Sequence, residues 1–454
     1  MDERLLIKNA RIVLPQETLS GDLLIEKGKI IGIGSFEDDK AAMIIDAKNN
    51  YLIPGGIDAH VHFDLETALG RTADDFESGS KAAIAGGSTC IIDFITPGRN
   101  ESLLSAFEKR KKQIHKISTD YSFHQSITHW DDKTALEMEN TVFQQGITSF
   151  KTYLAYTSSI GIDLQTLEKV MRKAAELNAI VLIHSEDGQA IDRAITASDD
   201  TFANIGATHQ NIHTAETEIA AILQVIEIAK KTQCKIYIVH LTTAEGIQAV
   251  KQAQKQGFEI YAETCPQYFV FSDEVYSDNN QAIHFMLSPP IRSEYHQKII
   301  GMSAAKGDFH CINTDHCSFS EKAKEKAKKY SDIPQGISGV QYRLMLAHQH
   351  LIVDKGMSWQ DFSKIISGHQ AKLFNLPNKG KIEIGFDADL VLLQEIPQIK
   401  IKELTKDYSL SGENIYDDEV VSIAIDSVIK SGKIVFRNRG FTQTFCQGKY
   451  IKRH

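Results

Sequence analysis

The chain has 454 residues, with 50 Lys and Arg against 59 Asp and Glu, so its formal net charge is −9. That charge is spread along the sequence, which speaks against a nucleic-acid footprint, and no apolar stretch approaches the ~20 residues of a membrane span. The charged start MDERLLIKNARIV lacks a secretory apolar region, and six cysteines without a CxxC pair read as a reducing-compartment pattern, so the expectation is a cytoplasmic globular protein with a large core.

Residues 4–53 alternate short apolar runs with turns (LLIKNARIV, DLLIEKGKIIGIG, AMIIDAKNNYLIP), the texture of a small β module. From there strand-like runs at 56–61, 89–94, 122–128, 147–150, 180–183, 235–239, 259–262 and 310–313 alternate with helical stretches such as 164–178 and 214–231. Eight such units predict an α/β fold, a (β/α)8 TIM-type barrel, over 55–374. The basic run 322–329 (KAKEKAKK) reads as a solvated helix face. The β texture returns in KGKIEIGFDADLVLLQ, VVSIAIDSVIKSGKIVF and GKYIKR, so 1–54 and 375–454 are expected to build one small β-sandwich from both chain ends.

Six metal-competent side chains stand where these strands end: His60 and His62 in GGIDAHVH, Lys151 in SFK, His184 in IHSE, His240 in VHL and Asp315 in TDH. Active sites of such barrels sit at the C-terminal ends of the strands, so the topology predicts that the six converge. His60 and His62, two residues apart on an extended strand, point the same way and can share one metal. Taken alone, His184 and His240 read first as hydrogen-bonded core histidines, the His60/His62 pair as ordinary polar residues at a strand end, and Asp315 as a turn or cap residue. Lys151 is the sharp case, because an ammonium beside two cations would be repelled. By spacing alone it reads as a lysine snorkelling to solvent; carbamylated by CO2 it becomes an anionic ligand able to bridge two ions. Histidines, a carboxylate and a carbamate suit Zn²⁺, with Mn²⁺ or Co²⁺ as substitutes.

The stretches PGGIDAHVHF (54–63), TADDFESGSKAAIAGGSTCIIDF (72–94), GITSFKTYLAY (146–156), LIHSED (182–187), IVHLTT (238–243), AETCPQYF (262–269), LSPPIR (287–292), TDHC (314–317) and GFDADLVLL (385–393) carry a family resemblance across nearly the whole chain. It resembles the amidohydrolase superfamily, in the dihydropyrimidinase/hydantoinase branch of the cyclic amidohydrolases. The resemblance implies that His60, His62 and Asp315 hold one metal and His184 and His240 the other, with carbamylated Lys151 bridging them. It also implies a bridging hydroxide as nucleophile, Asp315 as proton shuttle, Tyr156 as donor to the oxyanion and Ser288 as a contact to the ring amide. The implied reaction opens a cyclic ureide, a dihydropyrimidine or a 5-substituted hydantoin, to an N-carbamoyl amino acid; the implied assembly is a homotetramer.

Two departures bear on substrate. Where the family carries Ile-Pro-Asn-Gly after the last strand, this chain has Ile333-Pro334-Gln335-Gly336, which puts Gln335 at a ring-recognition position. The loop Phe63-Asp64-Leu65-Glu66-Thr67 is more acidic than the Met-Pro type of the family. Phe63-Asp64 after the His pair also lacks the arginine expected of a dihydroorotase. Allantoinase shares the ligand set and stays open as an alternative. A non-catalytic assembly relative is opposed by retention of all six ligand positions.

Overall fold

The computed structural model describes residues 4–38, 41 and 43–453. Eight parallel strands lie side by side in chain order: Gly56–Val61, Ser88–Ile95, Asp120–Ser126, Ser149–Tyr153, Ile180–His184, Lys235–Ile238, Ile260–Thr264 and Cys311–Ile312. They are the expected runs, shifted by at most a few residues. Strands such as Ser88–Ile95 and Ile180–His184 are buried along their whole length, because one face fills the barrel and the other lies under helices. The helix Leu164–Glu176 shows how the outer layer forms. Asp163 caps it by accepting from the Thr166 backbone N–H, and Leu167, Val170, Met171 and Ala174 recur at helical spacing on its buried face.

The first and eighth strands meet at a seam that side chains close. The fully buried Arg343 donates through one guanidinium nitrogen to the carbonyls of Ile57 and Ile312, each at 2.8 Å, and through the other to Ser88 Oγ at 3.0 Å. Asn313 Oδ1 accepts the Ala59 N–H at 3.0 Å, and Thr314 Oγ1 donates to Asp58 Oδ2 at 2.7 Å. The His62 N–H then bonds the His316 carbonyl at 2.7 Å, which brings the ends of the two strands together.

Both chain ends join one nine-stranded sheet. Tyr51–Pro54 pairs antiparallel with Leu390–Lys400, and Arg4–Val13 with Thr18–Glu26, so N-terminal and C-terminal strands share a core that includes Ile7, Ile25, Leu52, Leu390 and Ile429. This sheet is tied to the base of the barrel by a buried charge cluster. Lys379 reaches Asp120 at 2.8 Å and Asp389 at 2.5 Å, while Lys430 reaches Asp120 at 2.6 Å. Burial favours the neutral form of Asp120, but the two lysines outweigh it and hold the carboxyl below its usual range.

Two expectations differ from the structure. The final GKYIKR forms no regular strand; it lies along the barrel strand Asp120–Ser126, where the buried Arg453 donates to Ser122 Oγ and to the Phe123 carbonyl. The basic run is helical only over Glu321–Glu325, and Lys324 is fully buried, its Nζ 2.6 Å from Glu413 Oε1 and 3.0 Å from the His284 carbonyl. A nearby carboxylate and carbonyl make burial of that ammonium tolerable, which the local pattern could not reveal. All six cysteines are unpaired, and among the described residues no helix is long and apolar enough to cross a membrane.

Replacing Arg343 by Met strands the buried carbonyls of Ile57, Ile312 and Ile366 together with Ser88 Oγ, and removes the cation 3.9 Å from Asp58. Urea unfolding should show a loss of about 3–5 kcal/mol; unchanged stability would mean that the seam is held by backbone pairing alone.

Candidate active site

The C-terminal ends of the strands open into a cavity of about 910 Å³. His60, His62, Lys151, Tyr156, His184, His240, Ser288, Asp315 and Gln335 all line it, so every residue singled out in the sequence reaches one place.

His60 and His62 do share a side, as period-two alternation requires. Both Nε2 atoms approach Asp315 Oδ1, at 3.1 and 3.2 Å, and the donor atoms of the three residues lie within 4.8 Å of one another. Opposite them, His184 Nδ1 stands 3.0 Å from His240 Nε2. Tetrahedral ligands at ~2.0–2.1 Å from one ion lie roughly 3.3 Å apart, so each group is close to the spacing that coordination demands. His240 Nδ1 is buried with no hydrogen-bond partner among the described residues. Three of these positions are held in the left-handed backbone region, Tyr156 at φ 60°, His240 at φ 37° and Asp315 at φ 54°. Such conformations cost ~1–3 kcal/mol each and persist where surrounding structure fixes them.

Charge in the site is unevenly matched. Burial raises the Asp315 carboxyl, but His60 and His62 overcome it and hold it well below the usual range. Burial likewise opposes protonation of His60, yet Glu263 and Asp315 lift its imidazole to about 9. Lys151 is 1% exposed; its Nζ lies 5.0 Å from the centre of the Tyr153 ring and 5.3 Å from that of Phe94, with no carboxylate in ion-pair contact among the described residues. Burial pushes its amine down to about 8, with Asp315 and Glu263 opposing only in part. It does not snorkel to solvent.

Sequence reasoning missed the groups that hold these side chains. Glu263, buried at the end of the seventh strand, meets His60 Nδ1 and accepts from Tyr237 Oη at 2.8 Å and Asn313 Nδ2 at 2.5 Å. Asp74 anchors the segment after Asp315: its Oδ2 accepts from His316 Nε2 at 3.1 Å, Ser318 Oγ at 2.7 Å and Ser409 Oγ at 2.5 Å. The available signal was a lone carboxylate inside an apolar run (Glu263 in IYAET) or before a helix, which fits a cap equally well.

On the substrate side, Ser288 Oγ donates to Gln335 Oε1 at 2.5 Å, and Gln335 Nε2 reaches Tyr330 Oη at 3.4 Å. The Tyr156 ring opens to the cavity and lies 5.3 Å from the His184 ring, centroid to centroid. Burial pushes its phenol up, Ser288 acting the other way, so the hydroxyl keeps its proton at neutral pH. The loop after His62 is less acidic than its sequence, since Asp64 pairs with Arg71 at 2.8 Å in the hairpin formed by Glu66–Thr67 and Gly70–Arg71.

A barrel with a gathered set of imidazole, carboxylate and amine groups at its mouth defines the class, a barrel hydrolase. The profile of the amidohydrolase family matches residues 51–435, and the chain belongs to that family. It is similar to the D-hydantoinase of Geobacillus stearothermophilus, with 32% identity over 459 residues covering 99% of this chain and 96% of the relative. It is also similar to the dihydropyrimidinase of Dictyostelium discoideum, at 30% identity over 99% of this chain and 90% of the relative. The crystal structure of dihydropyrimidinase from Brevibacillus agri NCHU1002 matches with a TM-score of 0.94 at 30% identity, covering 99% of this chain and 98% of that one.

Asp74 supplies a pH prediction. Burial raises its carboxyl, but His316, Ser409 and the Leu410 N–H outweigh burial and depress it overall. A depressed folded-state carboxylate contributes stability above its unfolded pKa of ~4, and that contribution is lost as pH falls below it. Asp74→Asn should therefore unfold more easily than wild type at pH 7, by about 2 kcal/mol, and the gap should narrow in melts below about pH 4. A gap independent of pH would contradict this.

Proposed function

We propose that the protein hydrolyses the amide bond of a cyclic ureide, a dihydropyrimidine or a 5-substituted hydantoin, to an N-carbamoyl amino acid, using two divalent metal ions. The observation that carries this reading is the convergence of six ligand-type side chains from five strand ends in one cavity. The relatives named D-hydantoinase and dihydropyrimidinase, similar over nearly the whole chain, support the substrate class.

The donor set fits two ions. His60, His62 and Asp315 would hold one, His184 and His240 the other, with Lys151 between them as a carbamate. An amine with a pKa near 8 and no anionic partner is partly neutral at pH 7, so its nitrogen can add to CO2 and release a proton. Zn²⁺ suits this set, with Mn²⁺ or Co²⁺ as substitutes. Bound there, the ions would supply an activated water near neutral pH and polarise the ring carbonyl.

The chain's own groups account for the remaining chemistry. Asp315, kept ionised, takes up a proton and hands it to the leaving ring nitrogen. Tyr156, kept protonated, donates to the oxygen of the attacked carbonyl as charge develops. Ser288 faces the ring amide, and Gln335 holds the Ser288 hydroxyl in place. A cytoplasmic homotetramer completes the proposal and rests on the resemblance to hydantoinases.

The test is ring opening by zinc-reconstituted protein on dihydrouracil, 5-substituted hydantoins, allantoin and dihydroorotate. Dihydrouracil or hydantoins should open; turnover of allantoin alone, or of nothing in the panel, overturns the substrate class. Asp315→Asn should lower turnover by at least ~10²-fold, and near-wild-type turnover would remove the role assigned to it. Lys151→Ala should lose bound zinc in elemental analysis, whereas full zinc content would contradict the bridge.

A further inference from the structure

The reaction as described leaves two buried groups beside the site without a role, Glu186 and His213. Glu186 is fully buried between two imidazoles: Oε2 lies 2.7 Å from His184 Nε2, and Oε1 lies 3.0 Å from His213 Nδ1. Carboxylate oxygens set against two imidazole nitrogens accept from both, so the nitrogen of each ring that faces Glu186 is the one that bears the proton. For His184 that leaves Nδ1 with its lone pair, and Nδ1 is the atom 3.0 Å from His240 Nε2.

We propose that Glu186 and His213 are a positioning pair that fixes which nitrogen of His184 faces the metal pocket, and that His213 governs the His184–His240 half of the site alone. The proposal rests on the metal-dependent reading above. The other half is held differently. Glu263, which orients His60, is supported by Tyr237 Oη, Asn313 Nδ2 and the His240 N–H at 3.1 Å. Among the described residues, Glu186 has His213 as its one hydrogen-bond donor besides the ligand itself. His213 is in turn set firmly. Its carbonyl accepts from Arg292, whose guanidinium also bonds Thr242 Oγ1 at 2.9 Å and Glu218 Oε2 at 3.0 Å. The ring lies 5.1 Å from that of His209, which bonds Tyr330 Oη at 2.9 Å and the Leu287 carbonyl at 2.8 Å. The pair therefore stands between a metal ligand and the segment that presents Ser288.

Outer groups of this kind typically change metal affinity by about 10–100-fold. The experiment is a titration of chelator-stripped protein with Co²⁺, followed by its visible absorption and by calorimetry, and needs no substrate. Wild type should take up two ions. His213→Ala should bind one as before and the other about 10–100-fold more weakly, with an altered spectrum for the weak ion only. His213→Asn should restore tight binding, because its amide nitrogen is placed much as Nδ1 is and can donate to Glu186. If His213→Ala does not fold, Glu186→Gln replaces it, since its amide offers one acceptor where the carboxylate offered two. Two tight ions in His213→Ala, or an Asn variant as impaired as the Ala one, would overturn the pairing. Failure of wild type to bind two ions would instead overturn the metal-dependent reading itself.

Discussion

Closure of the barrel at the seam between its first and eighth strands is the constraint on which the site depends. His60 and His62 leave the first strand and Asp315 follows the eighth, so about 250 residues of chain separate ligands that must meet within hydrogen-bond distance. Seven of the junctions between strands are made by parallel backbone ladders, while the seam has only a single parallel bridge at Val61 and His316 and relies besides on Arg343, Asn313 and the Thr314–Asp58 contact. A guanidinium has several donors in a rigid fork, which lets one residue satisfy carbonyls from both edges. The same contacts fix the backbone that carries Asp315 in its left-handed conformation.

Placing Lys151 inside that closed barrel sets the electrostatics. A buried ammonium with ring faces but no carboxylate beside it is costly, and burial weakens the base. A lowered pKa leaves part of the amine neutral near pH 7, the form that the proposed carbamylation requires. Around it each fixed charge has its counterpart: Asp315 with His60 and His62, Glu263 with His60, Glu186 with His184 and His213. Lys151 is the exception to this pairing, and the proposed carbamate would remove it.

Much of this was legible in the sequence. The β-branched runs marked the eight strands because both faces of a parallel sheet are buried, and strand ends marked the candidate ligands because the topology points every C-terminal end to one mouth, where all six line one cavity. What stayed hidden depended on contacts between distant segments. Glu263 and Glu186 look like isolated carboxylates until the fold sets them against His60 and His184. Lys151 read as solvent-seeking because nothing local shows that its strand ends inside the barrel. GKYIKR read as a strand, yet its place is decided by Arg453 reaching Ser122 and Phe123 more than three hundred residues away. Gln335 was legible as a departure, but its engagement with Ser288 was not.

¹³C NMR of protein reconstituted with zinc and ¹³C-bicarbonate would read out the proposed carbamate on Lys151 between two metal ions. One carbamate carbonyl resonance per chain is expected, absent from Lys151→Arg and lost when the metal is removed. Fully metallated, active protein with no such resonance would contradict it.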